Sequence, residues 1–315
     1  MRVGTGEYTY EVQDNWGRLP DGWSYLEVSG VAVDRQDRAY VFNRGKHPVI
    51  VLDRDGAFLG SWGEGTFTRP HAATMAPDDT LWLVDDGDHT IRHCTLDGKV
   101  LGTIGTPNQP APKWSGTPFN RPTHVALAAD GSLYITDGYG NTRVHRFSAE
   151  GKHLGSWGAP GTDPGQFNLP HNVGVDRQGR VYVADRENFR VQIFDAGGRF
   201  LSQWNNLYRP CGLYVDRQGD QDRIYVGELC SSVGVSEGIQ NLGARLQIFA
   251  PSGERIARIG APLPGSGPGE FVAPHTVAVD SRGDVYVGEV SYTIRGKGLT
   301  PPRELRSLQK FARVR

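Results

Sequence analysis

The chain has 315 residues, with 34 Lys and Arg against 35 Asp and Glu, a formal net charge of -1 with histidine neutral. That balance offers no basic excess for a nucleic-acid backbone, and no apolar run approaches the ~18 residues of a membrane-spanning helix. With 42 Gly and 20 Pro among many Val, Tyr and Phe, and few stretches of helical period, the composition favours an all-β fold.

The first residues, Met1 to Glu7, lack the apolar stretch of a secretory leader. Cys94, Cys211 and Cys230 are too sparse, and odd in number, for a disulfide framework. Both features favour a reducing, cytoplasmic setting. Tyr8 to Val12 then alternates like a strand. From Val28 onward one pattern of four short strands and tight turns recurs six times, over 28–66, 67–118, 119–166, 167–206, 207–270 and 271–315. The clearest copy runs Phe167-Asn168-Leu169-Pro170-His171, Val181-Tyr182-Val183-Ala184-Asp185, Arg190-Val191-Gln192-Ile193-Phe194 and Leu201 to Trp204. Four-strand units of roughly 40–50 residues mark propellers. A lone unit cannot cover both of its faces, so six must close into a ring. The repeat resembles the NHL repeat. The last copy ends on a third strand at Gln309-Lys310-Phe311. Tyr8 to Val12 is predicted to supply the fourth strand and cover the open edge. The expectation is a single six-bladed β-propeller domain over 1–315, with 1–27 as closing strand and lead-in.

Aligning the copies places one residue just before each innermost strand: Ser29, His71, Thr123, His171, Cys211 and His275. Histidine falls in the second, fourth and sixth blades, at threefold spacing about the ring axis. Three imidazoles converging with an open position suit catalytic zinc. Imidazole also suits iron, copper or nickel. His47, His89, His93, His124, His145 and His153 share no such register and read as surface or packing residues.

The loop after each second strand lies on the same face. Its first position is acidic in five blades (Asp85, Asp137, Asp185, Glu228, Glu289) and Asn43 in the other. Recurrence with and without histidine points to a structural role, bonding backbone amides between blades. The residues that follow do not recur, and among them Arg44, Tyr139 and Arg186 carry chemistry. Two guanidinium forks suit a small anionic, carboxylate-bearing substrate; the alternative is that Arg44 and Arg186 pair with acids of the blades. A cation beside a phenol favours phenolate, which makes Tyr139 a candidate base. Long segments at Thr106 to Pro118, Leu229 to Gly243 and Val290 to Arg306 are placed on this face as a rim.

The segments Phe42-Asn43-Arg44-Gly45-Lys46-His47, Asp137-Gly138-Tyr139-Gly140-Asn141-Thr142-Arg143, and Leu169-Pro170-His171 followed by Ala184-Asp185-Arg186-Glu187-Asn188 resemble the peptidyl-α-hydroxyglycine α-amidating lyases. The similarity covers nearly all six repeats. It implies zinc on His71, His171 and His275, Tyr139 as catalytic base, and Arg44 and Arg186 at the substrate. The implied reaction cleaves the C–N bond of a carbinolamide to an amide and an aldehyde such as glyoxylate. The family's structural calcium would fall between the backbone carbonyls of Val31 and Ala73, but Thr276 replaces its aspartate ligand, and calcium favours charged oxygens. Gly140 replaces a disulfide cysteine, and Ala273 replaces a methionine beside the third histidine. The competing readings are a non-enzymatic NHL-repeat interaction scaffold and a metal-dependent lactonase or esterase.

Overall fold

The computed structural model describes every residue except Asn15 and Val233. Six antiparallel sheets radiate from one axis as the blades of a propeller. Their innermost strands, in chain order, are Val28–Val33, Pro70–Met75, His124–Leu127, Pro170–Val175, Pro210–Asp216 and Pro274–Val279. Each contacts the next, and the last contacts the first, so the ring is closed. No helix is long and apolar enough to cross a membrane among the described residues.

Closure uses the N-terminus, as the alternation of Tyr8 to Val12 predicts. Tyr8–Gln13 pairs antiparallel with Leu308–Arg313 and completes the sixth blade. Arg2–Thr5 pairs on its outer side, so that sheet has five strands, one beyond the sequence expectation. Tyr8 and Tyr10 are buried by this arrangement.

Between blades the core repeats. The second strands place Tyr40, Trp82, Tyr134, Tyr182, Tyr225 and Tyr286 in the interior. Three of these phenols reach a turn aspartate: Tyr40 donates to Asp34 at 3.2 Å, Tyr182 to Asp176 at 3.0 Å and Tyr286 to Asp280 at 3.0 Å. The same aspartates accept turn amides, so an aromatic that fills the interblade space also satisfies its polar end. At the axis the inner strands approach closely. A Cβ on Gly30 would lie 2.6 Å from the backbone nitrogen of Ala73 in the next blade, so only glycine fits.

The acids after the second strands are structural, with one change from the sequence reading. Asp85 accepts the amides of Thr68 and Arg69 at 2.6 and 2.9 Å, and Glu289 those of Val272 and Ala273 at 2.7 and 2.8 Å. Asp185 takes the amide of Asn168 at 2.7 Å. These amides belong to the segment entering the same blade, not to a neighbouring blade. Each acid therefore pins the chain where it crosses from one blade to the next. Burial, opposed by those two amides, pushes the Glu289 carboxyl up to about 7.

Candidate metal centre

Each of the three histidines sits at the start of an inner strand, directly after proline. That proline is buried and fixes where the strand enters the channel. His71, His171 and His275 are 0%, 0% and 2% exposed, and one ring nitrogen from each lies within 4.8 Å of the others. The ring centroids are 4.7 to 5.0 Å apart.

The outward nitrogen of each ring is tied. His71 Nδ1–H donates to the Thr123 carbonyl at 2.7 Å, and His275 Nδ1–H donates to the Ser29 carbonyl at 2.8 Å. His171 Nδ1–H donates to Oδ1 of Asn172 at 2.8 Å. With the proton held on Nδ1, each Nε2 presents a lone pair. Burial holds all three well below the ordinary histidine range, helped by the neighbouring rings and by Arg44, Arg69 and Arg186. The rings are therefore neutral at pH 7. A buried, neutral, pre-oriented group of three imidazoles fits a divalent metal ion.

The Tyr139 hydroxyl is 3.1 Å from His71 Nε2 and 3.4 Å from His171 Nε2. Its ring lies under two guanidiniums, with Cζ of Arg121 at 4.5 Å and Cζ of Arg186 at 5.8 Å from the centroid. Tyr139 also lines a cleft walled by Lys113, Trp114 and Leu169. Trp114 is held there by a hydrogen bond from its backbone N–H to the Gly140 carbonyl at 2.8 Å, which places the 106–118 segment at the site.

Arg44 and Arg186 are both near the rings, and both are paired. Arg44 Nη1 binds Oε1 of Glu27 at 2.7 Å, and its Nε donates to the Pro70 carbonyl at 3.0 Å. Glu27 is buried and also accepts the amide and hydroxyl of Thr293, each at 2.6 Å, from the 290–306 segment. Arg186 Nε binds Glu187 at 2.8 Å, and Arg209 Nη2 binds the same oxygen at 2.9 Å. Arg186 is held charged: burial opposes this, but Tyr139, Cys211 and Glu187 outweigh it. Arg44 lines a different cleft from Tyr139, beside Trp23 and His47.

Several residues at the site escaped sequence reasoning: Glu27, Arg69, Asp86, Arg121, Asn172, Glu187 and Arg209. A signal for three of them was present. Arg69-Pro70, Arg121-Pro122 and Arg209-Pro210 repeat the same dipeptide before an inner strand. Cys211 is buried with Sγ 3.4 Å from His171 Nδ1, and burial pushes its thiol up to about 11. All three cysteines are free and buried.

A calcium ion between Val31 and Ala73 does not fit this chain. Thr276 Oγ1 accepts the Val31 amide proton at 3.2 Å, so the position faces a donor with a neutral hydroxyl.

Residues 167–194 match the NHL repeat. The chain is 30% identical over 301 residues to human NHL repeat-containing protein 3, covering 91% of this chain and 83% of that protein. It is 30% identical over 251 residues to peptidyl-alpha-hydroxyglycine alpha-amidating lyase 1 of Drosophila melanogaster, covering 73% of this chain and 44% of that one. Among solved structures, a gluconolactonase from Xanthomonas campestris superposes with a TM-score of 0.63 at 13% identity, covering 99% of this chain and 94% of that one. At that identity the likeness concerns the fold alone.

Proposed function

Because this chain belongs to the NHL-repeat-containing proteins and is related to the amidating lyases, we propose that it is a metal-dependent carbon–nitrogen lyase acting on small carbinolamide acids. The observation that carries this reading is the buried, neutral trio His71, His171 and His275 with the Tyr139 hydroxyl against two of its nitrogens. The metal ligands would be the three Nε2 atoms. Zinc suits them best, with iron as the alternative. When bound, such an ion supplies Lewis acidity toward a substrate hydroxyl.

The chain's own residues do the rest. Arg186, beside Tyr139, attracts the carboxylate of an N-acyl-α-hydroxyglycine and orients its hydroxyl toward the histidines, and Arg44 adds positive charge near the rings. The Tyr139 oxygen, as a phenolate with the guanidiniums of Arg121 and Arg186 as its adjacent counter-charges, takes the hydroxyl proton and becomes neutral. The O–H electron pair becomes the new C=O bond as the C–N bond breaks. Tyr139 returns the proton to the departing amide nitrogen. One carbinolamide gives one amide and one glyoxylate, with no water or oxidant consumed. The grouped ligands are three histidines, and no carboxylate joins them among the described residues. That favours this chemistry over the lactonase alternative.

The test is metal analysis and product detection on the same preparation. About one metal ion per chain is expected, lost in His71→Ala/His171→Ala. Glyoxylate and benzamide should form in equal amounts from α-hydroxyhippurate, with Tyr139→Phe lowering kcat by ~100-fold or more. A protein that retains no metal when zinc is offered, and releases no aldehyde, refutes the reading. We further propose a cytoplasmic setting, supported by the three unpaired thiols.

A further inference from the structure

The rim of the site carries two clusters in which a pair of arginines shares one carboxylate. In the fourth and fifth blades, Arg186 and Arg209 share Glu187, and both side chains are nearly buried. In the second and third blades, Arg69 and Arg121 share Asp86, with contacts of 2.5 and 2.6 Å to one oxygen, Oδ2. A carbinolamide acid has a single carboxylate, and one cluster suffices to hold it. The other is left without a carboxylate to hold, although Arg121 also covers the Tyr139 ring.

Three features mark the Arg69–Asp86–Arg121 cluster as a binding site rather than a structural tie. First, its guanidiniums are the open ones. The side chains of Arg69 and Arg121 are 34% and 42% exposed, against 13% and 9% for Arg186 and Arg209. Second, Asp86 is fully buried, yet Oδ1 has no hydrogen-bond partner. All of the pairing falls on Oδ2. Two cations share one acceptor atom, and the cluster keeps one unit of positive charge that no described side chain neutralises. Third, the cluster adjoins the reaction centre. Arg121 covers the ring of Tyr139, whose hydroxyl touches the histidines.

We propose that Arg69 and Arg121 form a second anion subsite, so that the preferred substrate is a carbinolamide whose acyl half carries its own carboxylate. This rests on the lyase reading for the reaction but not for the binding. The net charge of the cluster matches a monoanion. A planar carboxylate can take the remaining N–H groups of both forks while Asp86 holds them apart. A doubly charged phosphate would exceed that charge. Arg121 lies a phenol ring away from the histidine nitrogens, so the two carboxylates of the substrate are separated by a short linker of a few atoms.

The test compares N-succinyl-α-hydroxyglycine with N-butanoyl-α-hydroxyglycine, which differ by a carboxylate in place of a methyl group, and measures succinate and butyrate binding by calorimetry. The zinc-loaded wild type should prefer the succinyl compound in kcat/KM by about tenfold or more, the worth of a charged hydrogen bond. It should bind succinate more tightly than butyrate. Arg69→Leu, which leaves the Tyr139 contact in place, should abolish both preferences, and Arg69→Lys should restore part of them. Asp86→Asn keeps both arginines, removes the competing charge and should tighten succinate. If neither compound yields glyoxylate but succinate still binds in this pattern, the lyase reading fails and the subsite stands. If both are cleaved equally and succinate binds no better than butyrate, the subsite is overturned and the lyase reading stands.

Discussion

Asn172→Ala isolates the orientation of one metal ligand without touching any of the three. His71 and His275 are oriented by backbone carbonyls, which no substitution removes, whereas His171 relies on the side chain of Asn172 at 2.8 Å. His171 is fully buried, and burial keeps its ring neutral. In the variant the Nδ1–H loses its acceptor, and leaving a buried donor unpaired costs about 1–3 kcal/mol. The ring can escape that cost by moving the proton to Nε2, where the Tyr139 oxygen lies 3.4 Å away. A metal must then reverse the tautomer before it binds. The expected loss of zinc affinity is about 10–100-fold, the range seen when an orienting partner of a ligating histidine is removed.

Competition with a chelating indicator at about pH 7.5, where the rings are neutral, reads this directly, and the melting temperature of the metal-free protein controls for misfolding. Asn172→Asp supplies a charged acceptor and should bind zinc more tightly than the wild type. Cys211 Sγ, 3.4 Å from the same nitrogen, is a weak acceptor that softens the effect. The Asn172→Ala/Cys211→Ala double variant should therefore lose more than the sum of the two. A folded Asn172→Ala protein within about twofold of wild-type affinity would refute the argument that Asn172 sets the tautomer.

Glu289, raised to about 7 by burial, holds its proton in the fold at a pH where the unfolded chain, near 4.5, has released it. Its contribution is fully present below 4.5 and is lost as pH rises to about 7. Glu289→Gln should thus gain on the wild type across that window, by up to ~3 kcal/mol, and no further above it, in urea unfolding at about pH 5 and pH 8. Glu27→Ala strands the buried Arg44 charge and two Thr293 donors, and should lower unfolding free energy by about 3–5 kcal/mol, whereas Glu27→Gln costs less. Calcium should leave the wild-type melting temperature unchanged and raise that of Thr276→Asp, which scanning fluorimetry in calcium and in chelator will show.

The fold was legible because repetition multiplies a weak signal. No single strand such as Leu81–Asp85 is diagnostic, but six copies in register are. The same register exposed His71, His171 and His275, since a departure from the repeat at threefold spacing has no architectural cause. Arg2–Thr5 was missed because its residues do not alternate, and its place comes from pairing with Tyr8–Gln13 and from contact with the outer strand of the fifth blade, Arg255–Ile259. Asn172 was hidden for a different reason. It is adjacent to His171 in sequence, but only the rotamers show that its amide, rather than a carbonyl, meets the ring.

The charges at the mouth were the least legible part, and their arrangement explains why. In the first, second and fourth blades, the amide just past the second strand's polar end residue bonds to a carbonyl just before the inner strand of the same blade: Arg44 to Glu27 at 3.0 Å, Asp86 to Arg69 at 3.3 Å, Arg186 to Leu169 at 3.1 Å. One backbone link thus holds two side chains together in each of these blades. The first blade fills the two positions with Arg and Glu, the second with Asp and Arg, and the fourth with Arg and Leu. A sequence scan that looks for an arginine at one position sees Arg44 and Arg186 and overlooks Arg69, whose charge occupies the partner position. The physical constraint is on the pair and not on either site. The same backbone frame can carry a neutral pair, a swapped pair or an unbalanced one, so the charge at the mouth can differ from blade to blade without any change in the histidines.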